Sequence, residues 1–74
     1  MQYTIENLKT QLFNKMQALE NEKKLRIYTM SADFQPAKDY GDEVRVSHLR
    51  TINNRMAYIE RQIMELKLKI SEME

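Results

Sequence analysis

Apolar residues recur every three or four positions along two long stretches of this chain, and the rhythm stops between them at residues 31–42. In the first stretch they fall at Ile5, Leu8, Leu12, Met16, Leu19, Ile27 and Met30, with Lys23 filling the one gap. That spacing predicts a helix over residues 4–30 carrying one apolar stripe. Thr4 is placed to cap it, and Glu6 lies in the first turn, where the helix dipole favours a carboxylate. Ile5, Met16 and Ile27 are eleven residues apart, as are Leu8, Leu19 and Met30; an eleven-residue repeat predicts a stripe that stays nearly straight. In the second stretch Leu49, Ile52, Met56, Ile59, Ile63, Leu66, Ile70 and Met73 alternate steps of three and four through four heptads. They predict a helix over 43–74, with Asp39 or Asp42 as its cap and Glu43 in its first turn.

Two helices of similar length joined by a short break predict an all-α, antiparallel two-helix hairpin, a single domain over residues 1–74. The break, Ser31 to Asp42, holds the only Pro and the only Gly of the chain. Pro36 disfavours helix at Gln35 and keeps the two helices from fusing, and Gly41 permits a turn. A plain connection between antiparallel helices needs only about two to eight residues, so this one has room for more than a spacer. Phe34 and Tyr40 have two readings. They fold back as a lid over the bundle end near Met30 and Leu49, or, ringed by Asp33, Lys38, Asp39 and Asp42, they form an aromatic docking knob for a partner.

A lone hairpin has one seam, and apolar residues lie off it: Phe13, Ala18 and Leu25 in the first helix, Tyr58, Met64 and Leu68 in the second. Surplus apolar surface on a small chain marks a partner surface. The simplest partner is a second copy, giving a four-helix bundle or coiled coil whose interface is the heptad set Leu49, Ile52, Met56, Ile59, Ile63, Leu66, Ile70 and Met73. In a parallel dimer of the second helix the flanking pairs are His48 with Asn53, Arg55 with Glu60, Gln62 with Lys67 and Lys69 with Glu74, none of them repulsive. The other expected partner is a different protein laying a helix into the groove.

Composition narrows the chemistry. With no Cys there is neither a disulfide framework nor a thiolate metal site, and His48 is the only histidine. There is no phosphate-cradling glycine loop and no alternation of acidic residues of the EF-hand kind, so neither enzyme, metal nor cofactor is expected. Lys and Arg number 12 against 11 Asp and Glu, short of the basic excess of a dedicated nucleic-acid binder. Even so, Lys23, Lys24 and Arg26 cluster near one helix end, and Arg50, Asn54 and Arg61 share an outer face able to reach phosphates. The alternative is a solvated face with local pairs, Glu20 with Lys24 and Glu22 with Arg26. No run approaches the roughly 18 apolar residues of a membrane span, and "MQYTIENLK" lacks the pattern of a secretion signal; the expectation is a cytoplasmic protein with no membrane partner.

The order of a first helix, an exit "YTMSADF", a polar loop and then "LRTINNRMAYIERQIMELKLKI" resembles small helical-hairpin phage and prophage proteins related to late-gene transcriptional regulators of phages of Gram-positive bacteria. The resemblance covers about Leu12 to Ile70, and departs from that group at Gln35-Pro36 and the single Gly41, where relatives often carry Met-Pro and a Gly-rich loop. It implies a phage-encoded regulator or inhibitor of a host protein, in the host cytoplasm, with a DNA-binding transcriptional regulator as the alternative. "VRVSHLR" is also similar to the start of the second helix of small two-helix phosphatases that act on a response-regulator phosphoaspartate. Their motif carries an Asp after a Leu, whereas Ser47 here is followed by His48, Leu49 and Arg50, which removes the carboxylate that activity needs.

Overall fold

A computed structural model describes residues 4–74. The chain forms α1, Ile5–Met30; a short α2, Gln35–Tyr40; and α3, Asp42–Met73. Thr4 caps α1 as its sequence predicts, its hydroxyl accepting from the Asn7 N–H at 3.1 Å. The long helices run antiparallel. Lys9 meets Glu74 at the open end, and Arg26 meets Asn53 near the loop. The molecule measures 50 × 19 × 15 Å, one helix pair in cross-section.

The connection departs from the expected irregular loop. Ser31 ends α1, its hydroxyl and its N–H both donating to the Tyr28 carbonyl, at 2.7 and 3.0 Å. Pro36 then sits in the first turn of α2, where a missing N–H removes no helical bond, so it opens a helix instead of preventing one. Gly41 alone separates α2 from α3, at φ 97° and ψ 171°, a conformation essentially confined to glycine. Neither Asp39 nor Asp42 caps α3: Gly41 is its N-cap without a side-chain bond, and Asp42 and Glu43 occupy the first turn.

α3 buries its heptad stripe as the pattern predicts. Ile52, Met56, Ile63, Leu66 and Ile70 are buried, Leu49 and Ile59 half-buried, and Met73 exposed. The eleven-residue stripe of α1 does not survive. Ile27 is 71% and Met30 64% exposed, and Met16 is also exposed. The face turned to α3 runs instead through Leu8, Leu12, Lys15, Leu19, Glu22, Arg26 and Thr29, all buried or half-buried, in steps of four and three. A partner fixed to a heptad seam winds, and α1 must present a 3.5-residue period to follow it. The apolar part of the seam is therefore concentrated at the open end, where Leu8, Leu66 and Ile70 pack together with Ile5 and Leu12 against them.

Toward the loop the α1 side of the seam is polar, facing Ile52 and Met56 of α3. Arg55 grips Glu22 with two bonds of 2.8 and 3.0 Å, Arg26 donates to Asn53 at 3.3 Å, and Thr29 is wholly buried with its hydroxyl bonded to the Leu25 carbonyl. The local pairs expected from sequence, Glu20 with Lys24 and Glu22 with Arg26, are replaced by Glu20 with Lys23 and by these interhelix bonds.

Three substitutions test this arrangement in urea unfolding. Leu8→Ala should cost about 2–5 kcal/mol by emptying the open-end cluster, while Leu68→Ala, on the outer face, should stay within about 0.5 kcal/mol. Gly41→Ala should cost about 1–3 kcal/mol with the helical circular dichroism retained, because the strain lies in one backbone angle.

Candidate functional site

At the loop end the chain closes on itself around Phe34. The α2 turn folds this ring back against α3, leaving it 2% exposed. Its ring meets Tyr28 edge-on at 5.5 Å between centroids and His48 at 5.2 Å, and the Arg45 guanidinium lies 5.6 Å from its centroid. The Tyr28 hydroxyl accepts from the Gln35 N–H at 3.3 Å and so supplies a cap to α2 that Phe34 cannot. Arg45 draws the pieces together: its Nη1 donates to the carbonyls of Thr29 at 2.6 Å and Ser31 at 2.7 Å, groups freed by the end of α1.

Phe34 and Tyr40 therefore have different fates. Phe34 is a plug in the bundle end, with Tyr28, Arg45 and His48 around its ring. Tyr40 is 79% exposed, the most exposed large apolar residue among those described. The charged residues expected to ring the pair are engaged within the turn: Lys38 lies 4.0 Å from Asp33, Gln35 donates to Asp39 at 2.9 Å, and Asp42 lies 3.4 Å from Arg45. Asp33 and Asp42 remain open to solvent. Of the residues expected to form a docking knob, Tyr40 and the carboxylates of Asp33 and Asp42 are exposed and Phe34 is not.

The residues assigned to an interface between copies lie elsewhere than expected. Ile52, Met56, Ile63, Leu66 and Ile70 are buried within one chain against α1, so a second copy must use other residues. The flanking charges are likewise engaged inside the chain, Arg55 by Glu22 and Glu74 by Lys9. Arg50, Asn54 and Arg61 are exposed along the outside of α3. His48, exposed at its edge, is committed on one face to Phe34, and faces Thr51 and Arg55 across a shallow pocket that also reaches Leu25. Among the described residues no three His, Cys, Asp or Glu side chains converge as a metal site, and no helix is long and apolar enough to cross a membrane.

The two flanks of the hairpin differ. On one, Phe13, Met16, Glu20, Lys23 and Lys67 border a groove floored by Ile63. On the other, Lys15, Ala18, Tyr58, Ile59 and Gln62 form a second groove, in which the Gln62 amide oxygen is buried without a hydrogen-bond partner. Sequence reasoning found Phe13, Tyr58 and Met64 as surplus but missed Ile27 and Met30, because the eleven-residue repeat assigned them to the core. No protein-family model, curated protein or solved structure matches this chain.

Phe34→Ala should cost about 3–5 kcal/mol by emptying the plug, and Arg45→Met about 1.5–3 kcal/mol by freeing two carbonyls from a charged donor. Tyr40→Ala should leave the melting temperature unchanged. Thermal circular dichroism on the three variants checks this, and equal losses for Phe34→Ala and Tyr40→Ala would contradict the separation.

Proposed function

We propose that this chain is a non-enzymatic protein-interaction module, a homodimer that regulates or inhibits another protein, in the manner that its resemblance to phage regulators implies. One observation carries the reading. Among the described residues twelve large apolar side chains are exposed, against eight hydrophobic ones that are buried. Single exposed apolar residues are ordinary, but a small chain exposing more large apolar groups than it buries is built to be covered. The chemistry agrees: His48, the one ready base, is held against Phe34, and the exposed groups are those of recognition surfaces, Tyr, Met and Phe.

Self-association supplies part of the cover, and the second protein docks at what remains, with Tyr40 at the loop end as its anchor. Sedimentation equilibrium at tens of micromolar is expected to return about twice the 8.9 kDa chain mass; a monomer mass overturns the homodimer. A photo-reactive residue at Tyr40 is expected to cross-link one cellular protein, with untagged chain competing and with the Tyr40→Ala variant competing poorly. Retention on DNA that falls with salt and is lost with Arg50→Ala and Arg61→Ala would replace this reading with a nucleic-acid-binding one.

A further inference from the structure

We infer that two copies of this chain pair through the flank of α1 that carries Phe13, Met16, Glu20, Lys23, Ile27 and Met30, about a twofold axis perpendicular to the helices and passing between Glu20 and Lys23. The inference deepens the homodimer proposed above and rests on it.

These six residues follow one another in steps of three, four, three, four and three, so they line one flank of α1. Four are exposed apolar residues and two an ion pair, exposed Glu20 with half-buried Lys23 at 3.4 Å. The order reads apolar, apolar, acid, base, apolar, apolar. Turned end for end, the spacing is unchanged and the two charges exchange places. An isologous contact requires this property, because each residue i that meets j must also meet it with the roles reversed. Laid antiparallel on its own copy, Phe13 meets Met30, Met16 meets Ile27, and Glu20 meets Lys23, twice each. The four central charges then alternate in sign.

α3 continues the face without conflict. Lys67 borders the same groove as Phe13 and Met16, so helical spacing puts Met64, Glu60, Ala57, Asn53 and Arg50 on this flank. Glu22 bonds Arg55, which sets the axis level with Arg55–Ala57 on α3. Asn53 then meets Glu60, Arg50 meets Met64, and Ala57 meets its own copy at the axis, where a methyl permits close approach; no pairing joins like charges. The opposite flank of α1 interleaves Ala18, Leu25 and Tyr28 with the exposed Asn7, Asn14 and Asn21, so its apolar groups are separated by amides and it carries no central acid–base pair.

From residue 13 to residue 30 of α1 and from 46 to 67 of α3 the face is about 25–30 Å long on a molecule 19 Å wide. That footprint, about 500–600 Å² before corrugation by side chains, lies at the small end of the roughly 600–1,000 Å² per partner of a standard interface.

The test is a charge swap read by sedimentation equilibrium, with circular dichroism confirming that each variant stays helical. Lys23→Glu and Glu20→Lys, singly, each place like charges across the axis twice and should weaken dimerisation about tenfold or more. The double variant Glu20→Lys with Lys23→Glu restores alternation and should return to within about threefold of the native dimer, and mixing the two single variants should give a heterodimer tighter than either alone. In the cysteine-free background, Ala57→Cys should form a covalent dimer on mild oxidation faster than Ala18→Cys, on the opposite flank. A native dimer whose affinity ignores the single charge changes, or a double variant as weak as the singles, overturns this face while leaving the homodimer standing. A native chain that stays monomeric overturns both.

Discussion

Two helices in contact along a single seam, closed at the loop end by Phe34 and Ala37, give the described residues their core. At 15–19 Å across, the molecule is one helix pair thick, so each long helix can bury one stripe and must leave its flanks in water. The apolar residues beyond that stripe, Phe13, Met16, Ile27, Met30 and Met64 among them, are exposed as a consequence of geometry. A chain of this size buries a smaller share of its surface than a larger domain does, and small folds recover the difference by association or cross-linking. With no cysteine, cross-linking through disulfides is closed to it, which leaves association, as proposed above, as the route.

Within the seam, α3 dictates and α1 complies. The heptad of α3 is uninterrupted, and the period it imposes selects Lys15, Glu22, Arg26 and Thr29 from α1 in place of the more hydrophobic Met16, Ile27 and Met30. The result is a graded α1 face, apolar at the open end and polar toward the loop, against an α3 face that is apolar throughout. Polar contacts such as Glu22 with Arg55 contribute less to stability than apolar packing of the same area, but they tie particular residues together and so oppose sliding of one helix on the other. The weaker apolar packing at the loop end is offset by the Phe34 plug and by Arg45, whose guanidinium bonds two carbonyls of the α1 exit while lying against the Phe34 ring. The helical connection carries Tyr40 at the end of α2, open to solvent.

The displacement of Ile27 and Met30 from the core shapes the surface of α1. The same steps of three and four that made them look like core keep them in line with Phe13 and Met16, so the misplaced stripe is a second stripe on the neighbouring flank. One helix can carry two apolar faces when one meets its own chain and the other is left for a partner.

The two long helices, their boundaries, the Thr4 cap and the buried heptad of α3 were determined by the sequence alone, because periodicity and end signals are local properties of a helix and the α3 pattern had no rival period. The surplus of Phe13, Tyr58, Met64 and Leu68 was legible for the same reason: they lie off any single stripe. The face of α1 was decided only by the tertiary structure, since residues 5–30 carry both an eleven-residue and a seven-residue pattern and the winding of α3 selects between them. The separation of Phe34 from Tyr40 was decided there too. Both are aromatic residues in a polar connection, and only the α2 turn, begun at Pro36 and ended at Gly41, sends one inward to Tyr28, Arg45 and His48 and the other out to solvent. Partners far apart in sequence, Glu22 with Arg55 and Thr29 with Arg45, were hidden because local spacing offers each charge a nearer neighbour, and the nearer one loses when a second helix brings a better-placed group.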